Sequence, residues 1–226
     1  MTIGIETATA TLSVALVHEG GVLASSYVRR RNMHDELLAP LMEATLDLAG
    51  IAGTQLDAVA VSSGPGSFTG LRIGMAAAKG VAVSLGIPLV TVPTFDALAL
   101  RIATSGVPSA DAALLIVFDA RRGEVYNAVY AISGGKAHQL KAPSANVMQD
   151  AVASVRKGTW LCGDAAAMLM EAFPGTFRVL EGPWHEAHAE AVALLGEQLA
   201  TAGSFADVAD SEPLYLRDFR TTTPKS

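Results

Sequence analysis

The chain has 226 residues, of which 50% are hydrophobic and 17% charged, with a mean hydropathy of +0.36, so it can bury a sizeable core and is not a disordered polymer. Its 16 Lys and Arg stand against 22 Asp and Glu, a formal charge of −6, which argues against a stand-alone nucleic-acid binder relying on cations that face phosphates. The one cysteine, Cys162, excludes an internal disulfide and a thiolate metal cage and suits a reducing, cytoplasmic setting.

Ile3 to Thr7 reads as a short strand, Leu12 to His18 as a second, and Gly20-Gly21 as the turn into a third from Val22 to Arg30. Leu37, Leu38, Leu41, Leu46 and Leu48 then recur at helical spacing up to Gly50, with Pro40 expected to kink this helix or to mark its start. Asp57 to Ser62 is a compact buried strand, followed by a glycine loop and a helix to about Leu85. Pro88 to Val92 is another strand, and Thr94 is the expected cap of a helix through Thr104. Gly106 to Asp111 is the candidate linker.

After the linker the order repeats: strands Leu114 to Asp119, Glu124 to Ile132 and Lys136 to Ala142, a helix from Ser144 to Arg156, and a strand from Thr159 to Cys162. A helix from Ala165 to Phe173, a strand from Arg178 to Leu180 and a helix from His185 to Ala202 complete it. The pattern predicts an α/β protein of two lobes, residues 1–106 and 107–226, each a mixed sheet with helices on its faces. Whether the last helix packs back on the first lobe stays open. No apolar run is long enough to span a membrane, and the opening Met-Thr-Ile-Gly-Ile-Glu has no basic leader.

Glu6 and Asp119 end the first strand of each half, where a nucleotide-binding protein of this layout would hold a metal-phosphate group. Ser62 to Gly74 (Ser-Ser-Gly-Pro-Gly-Ser-Phe-Thr-Gly-Leu-Arg-Ile-Gly) joins a buried strand to a helix. Gly64 and Gly66 would turn its amides outward, with Ser67, Thr69 and Arg72 beside them, as a phosphate site without a Walker lysine. A tight connection capped by Ser67 or Thr69 accounts for the same residues. Gly70, Gly74, Ala77 and Ala78 form a stripe of small residues that suits close packing, within the fold or against a partner.

Asp119-Ala120-Arg121-Arg122-Gly123-Glu124 reads either as charged cleft residues or as a solvated hairpin tip with a weak surface pair. His185 and His188 with Glu186 and Glu190 lack a third fixed partner for a metal, so no metal site is assigned. His34 reads as a cap-region residue, and Cys162 as an inert core thiol.

The run from Ser62 to Gly80 closely resembles the TsaB family, the bacterial tRNA threonylcarbamoyladenosine biosynthesis proteins. Ile3 to Thr9, Asp119 to Tyr126 and Glu212-Pro213-Leu214-Tyr215-Leu216-Arg217 agree with it. The resemblance implies two ribonuclease-H-like lobes of the actin, Hsp70 and acetate kinase type. It also implies a non-catalytic partner of the ATP-dependent subunit TsaD, working with the ATPase TsaE to place a threonylcarbamoyl group on adenosine 37 of tRNA. Pairing through the first two long helices, with TsaD or with itself as a homodimer, comes with it.

The catalytic relative's His-x-x-x-His pair is absent, Leu38 standing where the second histidine would be. Glu6 replaces the usual Asp, and Gly163-Asp164 is a poor adenosine loop. The expected reading is therefore a pseudo-enzyme with no cofactor of its own, ATP or ADP with magnesium entering only in the assembled complex, and tRNA reached through the partner. Its expected docking face is Leu37, Leu38, Leu41 and Met42 with Gly70, Gly74, Met75 and Ala78. The alternative is a small-molecule kinase or ATPase working between Glu6 and Asp119, and a peptidase ranks last for want of a metal pair or nucleophile.

Overall fold

Val- and Ile-rich runs separated by glycine turns build two sheets of one design, seen in a computed structural model that describes residues 1–30, 33–108, 111–180, 182 and 184–216. In the first half β1 (Thr2–Glu6), β2 (Leu12–His18) and β3 (Gly21–Val28) form an antiparallel meander. The helix α1 (His34–Ala49) leads to β4 (Ala58–Gly64), then α2 (Phe68–Leu85), β5 (Leu89–Pro93) and α3 (Thr94–Thr104). β4 and β5 add in parallel, and the strand order is β3-β2-β1-β4-β5.

The second half repeats this with β6 (Ala112–Asp119), β7 (Glu124–Ser133), β8 (Lys136–Val147), α4 (Met148–Ala153), β9 (Trp160–Cys162), α5 (Ala166–Ala172) and β10 (Arg178–Val179). Its order, β10-β9-β6-β7-β8, is the same arrangement. Both are ribonuclease-H-like, and Glu6 and Asp119 do end the first strand of each. The predicted linker lies at the junction, although its Ser109 and Ala110 fall outside the described residues. So does Arg217 of the C-terminal motif.

The layers follow from which faces are apolar. Leu37, Leu41, Met75 and Ala78 pack α1 and α2 on the outer face of the first sheet. Leu115, Val117, Val125 and Leu169 bury the outer face of the second under α4 and α5. Between the sheets lie α3 and α6 (Ala189–Thr201), where Phe95, Leu98 and Val192 meet Val92 on one side and Phe118 and Tyr130 on the other. The sheets thus share one central core. Among the described residues no helix is long and apolar enough to cross a membrane.

Three expected boundaries shift. β8 runs on through Ser144–Val147, because these residues pair with Glu124–Asn127 across a register break that accommodates Pro143 on the edge strand. The helix expected from Ser144 is accordingly the short α4. The last helix begins at Ala189, since His188 has extended backbone at its N-cap. Thr94 opens α3 without capping it; its Oγ1 accepts the Gly64 amide at 3.0 Å.

The helix α6 belongs by its contacts to the first sheet. A Cβ on Gly4 would lie 2.6 Å from the Ala189 carbonyl oxygen and the Ala193 amide, and one on Gly196 would overlap Ala60. Ser13 Oγ accepts the Ala189 amide at 3.0 Å, and Glu197 accepts the Glu19 and Gly20 amides at 3.0 and 2.7 Å. Glycine is therefore required at residue 4 by helix-on-sheet clearance. Gly4→Ala is expected to lift α6 and to cost about 1–3 kcal/mol, read as a lower urea midpoint at an unchanged m-value; a wild-type midpoint would contradict the clearance.

Candidate functional site

The outer helix pair is set by its glycines and its leucine phase. α1 starts at His34, whose Nε2 donates to the Thr9 carbonyl at 3.1 Å, and it runs through Pro40 to a left-handed Gly50. Leu38 and Thr45 point into the core, and Leu37, Leu41 and Met42 are half-buried on the outer side. Leu48 continues that side at 74% exposure. Parallel to this stripe on α2, Ile73 and Ala77 are half-buried and Val83 is 72% exposed. Leu48 and Val83 are thus exposed apolar side chains on the outer helices.

The predicted docking face therefore divides. Leu37, Leu41 and Met42 reach the surface. Leu38, Gly70, Gly74, Met75 and Ala78 are buried inside the subunit, a correction that comes from helical phase: they lie on the side of each helix turned to the sheet. Leu48, outside the expected set, lies eleven positions from Leu37 on the same stripe.

The buried glycines have an internal partner. A Cβ on Gly66 would come within 2.5 Å of the Ala8 carbonyl, while side chains at Gly70 and Gly74 would overlap the Thr7 carbonyl and hydroxyl. The β1–β2 loop thus sits in a notch cut along the start of α2. The same contact answers the expectation of an anion site at Gly64, Gly66, Ser67 and Thr69. Ser67 donates its amide to Ala8 O at 2.7 Å, Gly64 to Thr94, and Gly70 to Ser67 Oγ at 3.2 Å. Ser67 is the helix cap, Thr69 is exposed, and a protein carbonyl lies where a phosphate oxygen was expected.

The cleft between the first strands is closed in a similar way. Glu6 is fully buried; its Oε1 accepts the Ala8 amide at 2.5 Å, and among the described residues its Oε2 and the hydroxyls of Thr7 and Thr9 have no hydrogen-bond partner. Burial pushes the Glu6 carboxyl up to about 7, helped by the negative Glu186 and opposed by the Ala8 amide and Ser62. Glu186, itself 8% exposed, pairs with Arg29 at 3.1 Å, and its carbonyl accepts from Arg101 at 2.9 Å. The passage from Trp184 to His188 that carries it connects the second sheet to α6.

Asp119 ends in a different setting. It binds Arg121 through both oxygens, at 2.7 Å to the amide and 3.0 Å to Nη1, at a hairpin tip where Arg121 and Arg122 are left-handed. Its own amide donates to Asp164 at 2.8 Å. The predicted pair of carboxylates is thus one sealed acid and one surface ion pair. His185 Nδ1 lies 3.1 Å from the Gly163 carbonyl, and His188 packs at a tilt against Tyr27 with its pKa lowered by burial and by Arg101. Cys162 is buried and its thiol pKa is raised. A groove of about 670 Å³ lies at the other end of β1, beside Thr2, Asp57 and Glu197.

An unfolded glutamate releases its proton near 4.5, whereas folded Glu6 keeps it to about 7. As far as this group is concerned, stability is full below pH 4.5 and is lost as the pH rises to 7, by about 3 kcal/mol in all. Glu6→Gln is expected to remove that slope and to melt above the wild type at pH 8. Equal slopes in the two proteins, measured by urea unfolding, would contradict the sealed acid.

These features define a class: a doubled ribonuclease-H-like protein with a filled central cleft and an open apolar helix pair. A family model described as TsaD, tRNA N6-adenosine threonylcarbamoyltransferase, matches residues 8–213. A Bacillus subtilis protein, "tRNA threonylcarbamoyladenosine biosynthesis protein TsaB", is 36% identical over 146 residues, 65% of this chain and 61% of that one. Its Escherichia coli namesake is 37% identical over 130 residues, 57% of this chain and 54% of that one. The matched stretches thus span under two thirds of these curated relatives. The solved structure "YeaZ from Pseudomonas aeruginosa" has a TM-score of 0.80 at 27% identity, covering 95% of this chain and 99% of that one. A second Pseudomonas aeruginosa structure, described as similar to peptidase YeaZ, reaches 0.82 at 28% identity, covering 96% and 99%. The chain belongs to the TsaD family, in its TsaB branch.

Proposed function

We propose that this chain is a non-catalytic subunit of the machinery that makes N6-threonylcarbamoyladenosine at position 37 of tRNA. It docks on the TsaD-type transferase through the outer helix pair and holds it in an active arrangement, with the ATPase TsaE as third component. Alone, it pairs with itself through the same face. The observation that carries this reading is the contrast between the two surfaces: Leu48 and Val83 stand open on the outer helices, while Glu6 is sealed beneath the chain's own Ala8 amide.

Apolar area on this face is worth about 25 cal/mol per Å² when covered, before the costs of association. Because transferase and second copy compete for one face, mass action chooses between the assemblies. The names of the TsaB relatives support the pathway. The reading that this chain binds no nucleotide of its own is supported by the enclosed Glu6 carboxyl and by Ala8 O and Thr94, which hold the loop amides. No step is therefore routed through ATP on this chain, and ATP or ADP with magnesium belongs to the assembled complex. The tRNA, repelled by the net charge of −6, is held chiefly by the partner.

Leu41→Glu places an unpaired charge inside the covered face. It is expected to abolish binding to the transferase and modification of tRNA by the reconstituted set, in a free chain that circular dichroism shows to be folded but lower-melting, since Leu41 also packs on the core of the first sheet. Wild-type binding by this variant in calorimetry, or ATP turnover by the isolated chain that is lost with Glu6 or Asp119, would remove the reading.

A further inference from the structure

The chain carries a net charge of −6, yet cations gather at one end of the second sheet, where β6 begins. Arg156 and Lys157 directly precede β9, and Arg178 opens β10 in register with Trp160. Lys136 opens β8 at the same end, because it pairs with Ser133 while the neighbouring Ile132 pairs with Ala112. In the order β10-β9-β6-β7-β8, Arg178 and Lys136 stand four strand spacings apart, or ~19 Å. All four cations are exposed, and among the described residues none of them has an ion-pair partner within 4.0 Å. The adjoining segments contribute the acids Asp111, just before β6, and Glu171, in the last turn of α5.

The backbone that carries them is braced. Gly158, left-handed at φ +86°, donates its amide to the Thr176 carbonyl at 2.8 Å. The Arg156 carbonyl accepts from the Thr159 amide at 3.2 Å and from its hydroxyl at 2.8 Å, and the Arg178 amide donates to the Thr159 carbonyl at 3.0 Å. The cations therefore stand on a fixed frame, which lowers the ordering cost of binding an anion. The Arg178 guanidinium lies 5.9 Å from the centre of the half-buried Trp160 ring, within cation–π range. No large apolar side chain is exposed among residues 155–160 or 176–179, so nothing here would insert into a lipid surface. A flat cation held against an aromatic ring, among point charges, suits phosphates and bases together, whereas an acidic peptide would use the charges alone.

We infer that this end of the second sheet is an RNA contact: Arg156, Lys157 and Arg178, with Lys136 at the far edge, hold backbone phosphates of the tRNA substrate, and an unpaired base stacks at Arg178 and Trp160. The inference rests on the function proposed above and adds that this chain touches the RNA itself, as a secondary contact beside the partner's. The test uses the assembled set of this chain, the transferase and the ATPase, with a tRNA transcript as the probe. Binding is read by fluorescence anisotropy between about 50 and 200 mM salt, with circular dichroism melts to show that each variant is folded. Arg156→Gln with Lys157→Gln and Arg178→Gln is expected to bind the transferase as the wild type does. The set containing it is expected to bind tRNA about tenfold or more weakly at low salt, with the slope of log K against log salt shallower by about 2–3. The KM for tRNA should rise while kcat stays. Arg156→Glu with Lys157→Glu leaves Arg178 on Trp160 and should weaken tRNA binding at least as much; it serves if the first variant fails to fold.

Folded variants with the wild-type affinity, salt slope and KM would overturn the inference. So would loss of the transferase or the ATPase from the set with the salt slope for tRNA unchanged, which would make the patch a protein contact. If the wild-type set assembles and modifies tRNA and the variants match it, the RNA contact falls and the proposed function stands. If the wild-type set does not assemble, both fall.

Discussion

The seating of the β1–β2 loop in the notch of α2 is the contact on which the other features depend. Thr7 and Ala8 reach the helix only because residues 66, 70 and 74 have no side chains. That approach draws α2 onto the sheet through Leu71, Met75 and Ala78 and leaves Ile73, Ala77 and Val83 turned outward. It also delivers the Ala8 carbonyl to the Ser67 amide at 2.7 Å and the Ala8 amide to Glu6 at 2.5 Å. One loop therefore shapes the open face and closes the cleft together, so the two surfaces are coupled products of one packing decision.

The second half supplies the complementary constraint. The chain leaves the second sheet through Trp184 to His188, places Glu186 next to Arg29, and then lays α6 on the far side of the first sheet. Its small residues Ala189, Ala193 and Gly196 permit this, meeting Gly4 and Ala60 at backbone distance. From there Ala206 bridges to Leu89, and the following segment runs beside α2 to the Leu214 amide, which donates to Ser63 O at 2.7 Å. Each end of the first sheet's helical layer is thus fastened by residues from the end of the chain. The sealed state of Glu6 is sustained from both halves, and this burial is what raises its carboxyl to about 7.

Much of this was legible in the residues. The three-strand meander, its repetition after residue 111, the outer helices and the position of Glu6 and Asp119 at matching strand ends follow from β-branched runs, glycine turns and leucine spacing. The resemblance at Ser62 to Gly80 carried the family. What stayed hidden depends on long-range contact. A stripe of small residues states that something comes close without stating what, and at Gly70 and Gly74 the neighbour is Thr7, more than sixty positions away. The amides of Gly64 and Ser67 looked available because Thr94 and Ala8 were not yet beside them. Ser144 to Val147 carry helix-compatible residues, and only pairing with Glu124 to Asn127 makes them a strand.

Hydrogen exchange of the wild-type chain with and without the TsaD-type transferase reads both surfaces in one measurement. The account predicts added protection across residues 34–49 and 68–85, centred on Leu41 and Ala77, with exchange along Glu6 to Thr11 slow and unaltered. Added protection at the Glu6 and Asp119 strand ends, with the outer helices exchanging as they do in the free chain, would contradict it.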